Sequence, residues 1–224
     1  MMTSQDNEYI LDQYENQYSQ DGKTLLRGAH VPHNQVMDGC EIIGPYAFES
    51  HETMETIYIP ESVKEIGKFA FSCCYGLHVI RFPKGLTKIC TGAFSYCNIN
   101  SFHFPESLSS IGDEAFGYCK YLETFTGKYA STDGRFLIQH GVLMSYAPSG
   151  AHRAIVPEEA IVIGPSAFSG CPGLQEVILP RTVVSICSWA FSNCKDLRKI
   201  YVPSTLKVAA RNAIWQCDVS VIEI

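Results

Sequence analysis

The sequence predicts a repeat solenoid of the α+β class, in which short parallel strands alternate with 3₁₀ turns. Three observations carry this prediction: a fixed repeat length, an Ala-Phe-x-x-Cys pattern in nearly every copy, and strand-like alternation that ends in proline. The repeated position is held by Phe48, Phe71, Phe94, Phe116, Phe168, Phe191 and Ile214. The steps are 23 residues, except one of 22 and one of 52. Stacking is required because one such unit cannot bury its own apolar face.

Each part of the repeat has its own structural expectation. The full frame is L-x-x-I-x-I-P-x-x-V-x-x-I-G-x-x-A-F-x-x-C. The I-x-I alternation is typical of a short strand with one buried face. The proline ends the strand because it has no N–H to donate. The A-F-x-x-C segment is too short for an α-helix and fits one 3₁₀ turn. Stacking then places equal positions above each other, about 4.8 Å apart.

The cysteines follow the repeat. Six of the ten share one frame position: Cys74, Cys97, Cys119, Cys171, Cys194 and Cys217. Cys90 and Cys187 replace the glycine of Ile-Gly. We expect a ladder of buried free thiols that act as small apolar side chains, and no zinc site, since a solenoid places these residues side by side. The frame leaves Cys73 as the more exposed and reactive thiol.

The sequence divides into a short N-terminal segment and one long domain. Residues 1–22 contain five acidic residues and no Lys or Arg, and we expect an acidic polar tail or cap. Residues 23–224 form a single repeat domain whose first unit is degenerate, with Val31-Pro32 at the strand end. An insertion at about 126–153 accounts for the 52-residue step. Within it, residues 135–138 and 142–146 predict a hairpin around a three-residue loop, 139–141.

The frame resembles the BspA-like leucine-rich repeats, a subclass with a 23-residue repeat. The I-P turn, the V-x-x-I-G step and the A-F-x-x-C turn carry the resemblance over residues 41–224. The stretch that begins at Gly127 is similar to the hairpin insertion of that family. The resemblance implies a right-handed leucine-rich-repeat solenoid without a cofactor or catalytic residues. It also implies a secreted or cell-surface protein of a host-associated microbe, used for adhesion and protein binding.

Composition restricts the partners and the compartment. The net charge is −6, and outside residues 1–22 the chain is nearly neutral, with no basic stripe, which disfavours nucleic acid as a partner. No apolar run approaches the roughly 18 residues of a membrane span. The first residues lack the basic start and apolar stretch of a signal peptide. The chain is therefore either cytoplasmic or a secreted protein whose signal has been removed.

The outward-facing strand positions, together with the hairpin insertion at about 126–153, are the candidate binding surface. Side chains that alternate with the buried pair form two rows across the stacked strands. From these rows we select as ligand-binding residues Tyr58, Arg81, His103, Thr126, Glu176, Ile178, Lys199 and Tyr201. Solenoids bind partners on such surfaces, and Tyr and Arg are frequent in binding hot spots. The expected partner is a protein, such as a host matrix or surface protein, or a glycan, and the chain is a monomer or a weak homodimer.

Two other functions stay open at this stage. Cys73 and His78 could form a nucleophile and base, which would make the chain a cysteine-dependent hydrolase. The chain could also be a purely structural spacer. The spacing His30-x-x-His33 is a weak metal pattern, and we expect a solvated loop there. His51 takes the cysteine position of the first copy, so we expect a partly covered member of the ladder.

Overall fold

The computed structural model describes residues 9–215 and 218–224, so Cys217 lies outside the described residues. It is a β-solenoid of about 8 turns with few helices, as the sequence predicts. Its elements are β1 (Tyr9–Leu11), β2 (Gln17–Ser19), β3 (Thr24–Arg27), β4 (His33–Gln35), β5 (Ile42–Ile43), β6 (Thr56–Tyr58), β7 (Glu65–Ile66), β8 (Lys88–Ile89), β9 (Ser101–Phe104), β10 (Ser110–Ile111), β11 (Thr124–Gly127), β12 (Phe136–Gln139), β13 (Val142–Tyr146), β14 (Arg153–Ile155), β15 (Val162–Ile163), β16 (Glu176–Ile178), β17 (Ser185–Ile186), β18 (Lys199–Val202), a 3₁₀ helix (Ser204–Leu206), α1 (Lys207–Asn212) and β19 (Ser220–Glu223).

Most strands belong to two faces of the solenoid. The V-x-x-I face contains β3-β5-β7-β8-β10, extended at its N-terminal end by the antiparallel strands β2 and β1, and then β12-β13-β15-β17. The I-x-I face contains β4-β6, β9-β11 and β14-β16-β18-β19, all paired in parallel. Strand β9 shows the alternation that the repeat predicts: Phe102 and Phe104 are buried, whereas Ser101 and His103 are exposed.

The third side is formed by the A-F-x-x-C segments, and their conformation differs from the expected 3₁₀ turn. The i→i+3 hydrogen bonds are present, for example from Ala47 N to Gly44 O and from His51 N to Phe48 O. However, the residues two before and two after each phenylalanine have positive φ, such as Tyr46 at 59° and Ser50 at 58°. The segment is therefore a series of β-turns. The alternate amides point to the next turn of the solenoid, as in Phe48 N to Ala70 O at 2.7 Å.

The core is a set of ladders that the insertion divides in two. The rings of Phe48, Phe71, Phe94 and Phe116 stack at 5.1, 5.2 and 5.9 Å. After the insertion, Tyr146 lies 5.1 Å from Phe168, which lies 5.2 Å from Phe191. The buried residues before and after the insertion form two separate hydrophobic clusters. Tyr146 takes a phenylalanine position, because its amide donates to Ala167 O at 2.9 Å.

The insertion is part of the stack. Its strand β13 pairs in parallel with β15, and Gln139 joins β12 to the preceding turn by bonds to Ile111 N and Ser109 O. The loop is one residue shorter than the expected three, since Gln139 pairs with Val142. Its two residues, His140 and Gly141, have φ of 50° and 80°. Positive φ at both central residues is the type I′ geometry that suits a tight hairpin.

The first and last turns depart from the frame that the sequence predicts. The first I-x-I strand is β4, so it follows Val31-Pro32, and the prediction that this dipeptide ends the strand is wrong. Asn34 pairs with Ile57 and therefore holds a core position of the frame. At the other end, the 3₁₀ helix and α1 replace the V-x-x-I strand, burying Leu206 and Ala210. Among the described residues, no helix has the length and apolar character to span a bilayer.

Candidate functional site: the I-x-I face and its neighbours

The predicted binding residues lie on one face but in two groups. Tyr58, Arg81, His103 and Thr126 precede the insertion, and Glu176, Ile178, Lys199 and Tyr201 follow it. All of the first group are exposed; Tyr58 is 53% exposed. In the second group Lys199 is exposed and the others are half-buried. The alternation thus places all eight outside the core, while their role in binding stays a prediction.

The second group is dominated by ion pairs. Glu176 lies 3.5 Å from Lys199 Nζ and 3.8 Å from Arg153 Nε, on the two neighbouring strands. Arg153 and Lys199 are exposed and only Glu176 is half-buried, so the pairs add little to stability. Beside them Ile155 is 63% exposed. Arg153 and Ile155 are row members that the sequence reasoning missed, because their strand directly follows the insertion.

Two histidine–threonine pairs link neighbouring strands on the part of this face that precedes the insertion. His103 Nδ1 lies 3.0 Å from Thr126 Oγ1, and His33 Nδ1 lies 3.0 Å from Thr56 Oγ1. Each pair joins residues that face each other in the strand register. His33 therefore belongs to the rows of this face. The loop expected for His30-x-x-His33 is a strand at His33, while the ring of His30 stacks on that of His51 at 3.7 Å.

A cleft of about 480 Å³ opens on this face near its N-terminal end. It is lined by residues of β4, β6 and the segment 79–83, and the lining includes Tyr58, Arg81, Tyr14 and Glu61. The repeat predicts a strand at residues 79–82, but these residues do not form a strand in the structure. In the described part of the chain, no backbone hydrogen bond joins Ile80 to β6 or to β9. The face is thus split where the cleft lies.

The cysteine ladder has a geometry that the frame did not reveal. The thiols of Cys74, Cys97, Cys119 and Cys194 donate to the carbonyl oxygens of Phe48, Phe71, Phe94 and Phe168, at 3.1, 3.0, 3.1 and 2.8 Å. Burial raises the pKa of Cys74 and of Cys119 to about 12, so both thiols keep their protons at neutral pH. Cys40, Cys73, Cys90 and Cys171 are among the free thiols. The ladder is therefore structural.

Cys73, next to Cys74 of this ladder, is half-buried, as are Cys90 and Cys187, so the structure does not single it out as the most exposed thiol. Ser72 Oγ lies 3.7 Å from its sulfur, and a hydrogen bond with Cys73 is the largest cause that raises the pKa of Tyr75 to about 12. His78 Nδ1 instead lies 3.2 Å from Asn98 O. The contacts of the described residues do not join His78 to Cys73, so they give no support to the proposed nucleophile and base.

The comparisons identify the family. The model of the BspA type leucine rich repeat region matches residues 37–132 and 149–224 in 6 copies. The chain belongs to this family of repeat proteins, whose fold is that of a protein-interaction module. Comparison with the curated proteins gives no match.

Several solved structures have the same fold. A leucine rich cell surface protein from Faecalibacterium prausnitzii is 18% identical with a TM-score of 0.55, covering 98% of this chain and 95% of that one. A leucine-rich repeat protein from Bacteroides ovatus is 23% identical, with a TM-score of 0.51 and coverage of 96% and 69%. The pneumococcal vaccine antigen PcpA is 16% identical, with a TM-score of 0.53 and coverage of 97% and 48%.

Proposed function

We propose that this protein is a non-enzymatic adhesion module that binds a protein partner through its I-x-I face. The observation that supports the proposal is the cleft lined by β6 and residues 79–83, whose lining includes both Tyr58 and Arg81. Tyr and Arg are the residue types that dominate binding hot spots. A stacked strand face is ordered before the partner arrives, which lowers the entropic cost of binding.

The cleft also offers main-chain groups to a partner. Ile80 has no backbone hydrogen bond to β6 or β9 within the described residues. An extended segment of a partner protein can use such groups for hydrogen bonds, while its side chains contact Tyr58 and Arg81. The exposed aromatic and cationic side chains then give specificity. A secreted or surface location for this chain is part of the proposal, and it is supported by the surface protein of F. prausnitzii that shares the fold.

The test is a triple substitution on the face. The triple variant carries Tyr58→Ala, Arg81→Ala and Tyr201→Ala. It removes two side chains that line the cleft and one from the second group, which follows the insertion. Binding to a panel of purified host matrix proteins is measured by surface plasmon resonance. We expect affinity for the bound protein to fall at least about tenfold, as for the loss of hot-spot residues.

The matched control changes two exposed residues away from the rows, Lys68→Ala and Tyr121→Ala, and should leave affinity unchanged. Circular dichroism and melting of all variants confirm that the fold is kept. An unchanged affinity of the folded triple variant would refute the proposed site. Failure of the native chain to bind any protein of the panel would favour the spacer function.

A further inference from the structure

A second concavity lies outside the I-x-I face, among the A-F-x-x-C segments. It has a volume of about 430 Å³ and none of its lining residues belongs to the outward strand rows. Its lining includes Tyr96, Tyr118, Gly170, Asn193, Lys120 and Lys195. Tyr96, Tyr118, Gly170 and Asn193 all stand two residues after the repeated phenylalanine, where φ is positive. The pocket thus combines one position of the repeat from turns before the insertion, Tyr96 and Tyr118, with the same position from turns after it, Gly170 and Asn193.

Two stacked tyrosines form one wall of this pocket. The ring centroids of Tyr96 and Tyr118 are 4.5 Å apart and the rings are nearly parallel, at 4°. Tyr118 lies against Gly170, where a Cβ would come within 2.9 Å of its Cδ1. Its hydroxyl lies 3.4 Å from Asn193 Nδ2. Tyr96 remains 44% exposed, so the wall offers an aromatic surface to solvent.

The rim of the pocket is polar and carries positive charge. Lys120 and Lys195 are exposed, and in the described part of the chain neither forms an ion pair with a carboxylate. Asp196 also lines the pocket, but its carboxylate accepts a hydrogen bond from Gly173 N at 2.9 Å. Two lysines therefore face one carboxylate that already has a partner. An anionic ligand would complement this charge.

We propose that this pocket binds a pyranose sugar that carries a carboxylate. The C–H face of a pyranose is apolar and can pack on the tyrosine wall, whose rings are apolar with a polar hydroxyl. The sugar hydroxyls can bond to the Asn193 amide and the tyrosine hydroxyls. The sugar carboxylate pairs with Lys120 and Lys195. The volume lies in the range of small-molecule sites, in which a few polar groups fix the orientation of the ligand.

The charge separates this ligand from a neutral sugar. A neutral pyranose would use the aromatic wall equally well but would give neither lysine a carboxylate partner. Affinity for the acidic sugar should therefore weaken as salt increases, because exposed charges are screened. Affinity for the neutral sugar should be lower and independent of salt. The inference does not depend on the proposed function, since it concerns a different surface and a different class of ligand.

The experiment uses methyl glucuronide and methyl glucoside as matched probes, which differ in a carboxylate. Saturation-transfer NMR and titration are carried out on the full chain. We expect the native chain to bind the glucuronide. Tyr96→Ala should weaken this binding roughly tenfold, as for the loss of an aromatic hot spot, whereas Tyr96→Phe should retain it. Lys195→Gln should weaken binding and reduce its salt dependence. Tyr58→Ala, a tyrosine of similar exposure on the I-x-I face, should leave it unchanged.

The outcomes decide the proposal. Saturation transfer to the glucuronide that depends on Tyr96 and Lys195 supports it. It is overturned by absence of binding, by equal binding of the glucoside, or by variants that bind as the native chain does. Lys195 is exposed and its substitution leaves the core intact, so this variant decides even when Tyr96→Ala disturbs folding. If only Tyr58→Ala lost sugar binding, the proposal would also be contradicted, since the sugar would then bind on the I-x-I face.

Discussion

At the scale of single residues, the repeated cysteine combines two properties in one small side chain. It fills a core position, and its thiol donates to the carbonyl oxygen of the phenylalanine one turn earlier, as Cys97 does to Phe71. His51 follows the same rule, because its Nε2 lies 3.0 Å from Gly28 O. Gly28 stands at the phenylalanine position of its turn, since its amide donates to Ala47 O. The position therefore selects a hydrogen-bond donor, and histidine can replace cysteine there.

Phe94 is a fully buried member of the phenylalanine ladder with ring neighbours in the turns on both sides. It lies 5.2 Å from Phe71, 5.9 Å from Phe116 and 5.5 Å from Phe102. We predict that Phe94→Ala lowers the free energy of unfolding by about 3–5 kcal/mol, because a cavity is left between two turns. Denaturant unfolding measures this change. Tyr58→Ala, at an exposed site, should change it by less than about 0.5 kcal/mol. Equal effects of both would show that Phe94 is not a core residue.

At the scale of elements, the sequence predicts what is repeated and misses what is local to one turn. The alternation of β9 and β16 is visible in the frame because each turn repeats it. Strand β4 escapes prediction because its residues, His33, Asn34 and Gln35, are all polar. Asn34 is accepted in the core because Asn16 bonds to it through both side-chain amides, at 2.9 and 3.0 Å. Such a partner lies in another element, so no local pattern reveals it.

The ends of the insertion depend on glycines with positive φ. At Gly127, which ends β11, φ is 80° and a Cβ would come within 2.1 Å of Phe104 O. At Gly150 φ is 69°, but a Cβ would meet nothing within 4 Å. The two positions share the left-handed conformation and differ in the space around them. They are a matched pair for separating backbone strain from collision.

We predict that Gly150→Ala destabilises the protein by about 1–2 kcal/mol, the cost of a left-handed residue with a Cβ. Gly127→Ala should destabilise it by clearly more, since the added carbon meets a backbone atom that cannot move without breaking the β9–β11 pairing. Thermal and denaturant unfolding of the two variants measure the difference. If the two variants were equally stable, the conclusion that a Cβ at Gly127 collides with the backbone of β9 would be wrong.

At the scale of the whole molecule, stacking explains which parts of the site could be foreseen. The period predicts that Tyr58, Arg81 and Tyr201 lie outside the core, because every turn repeats the alternation. It does not predict the cleft, which exists where residues 79–82 leave the strand pairing that the other turns keep. It also does not predict the tyrosine pocket, which requires Tyr118 to reach across Gly170 in the turn beyond the insertion. Departures from the repeat create both sites.

The thiol ladder also gives the molecule a dependence on pH. In the unfolded chain a cysteine has its ordinary pKa of 9.0, whereas burial raises the pKa of Cys74 and Cys119 to about 12. Above pH 9 the unfolded state therefore loses protons that the folded state keeps. The contribution of these thiols to stability is complete below pH 9 and is lost as pH rises through about 12. Each thiol should lower the free energy of unfolding on the order of 1 kcal/mol per pH unit in this window.

The serine variants Cys74→Ser and Cys119→Ser isolate this effect. A hydroxyl can donate to Phe48 O and Phe94 O as the thiols do, but it does not titrate in this range. We predict that the double variant has a shallower loss of stability between pH 9 and 12 than the native chain, measured by denaturant unfolding at each pH. Tyrosine and lysine side chains titrate equally in both proteins, so the difference in slope belongs to the two thiols. Parallel slopes would mean that these thiols are not buried donors in the folded chain.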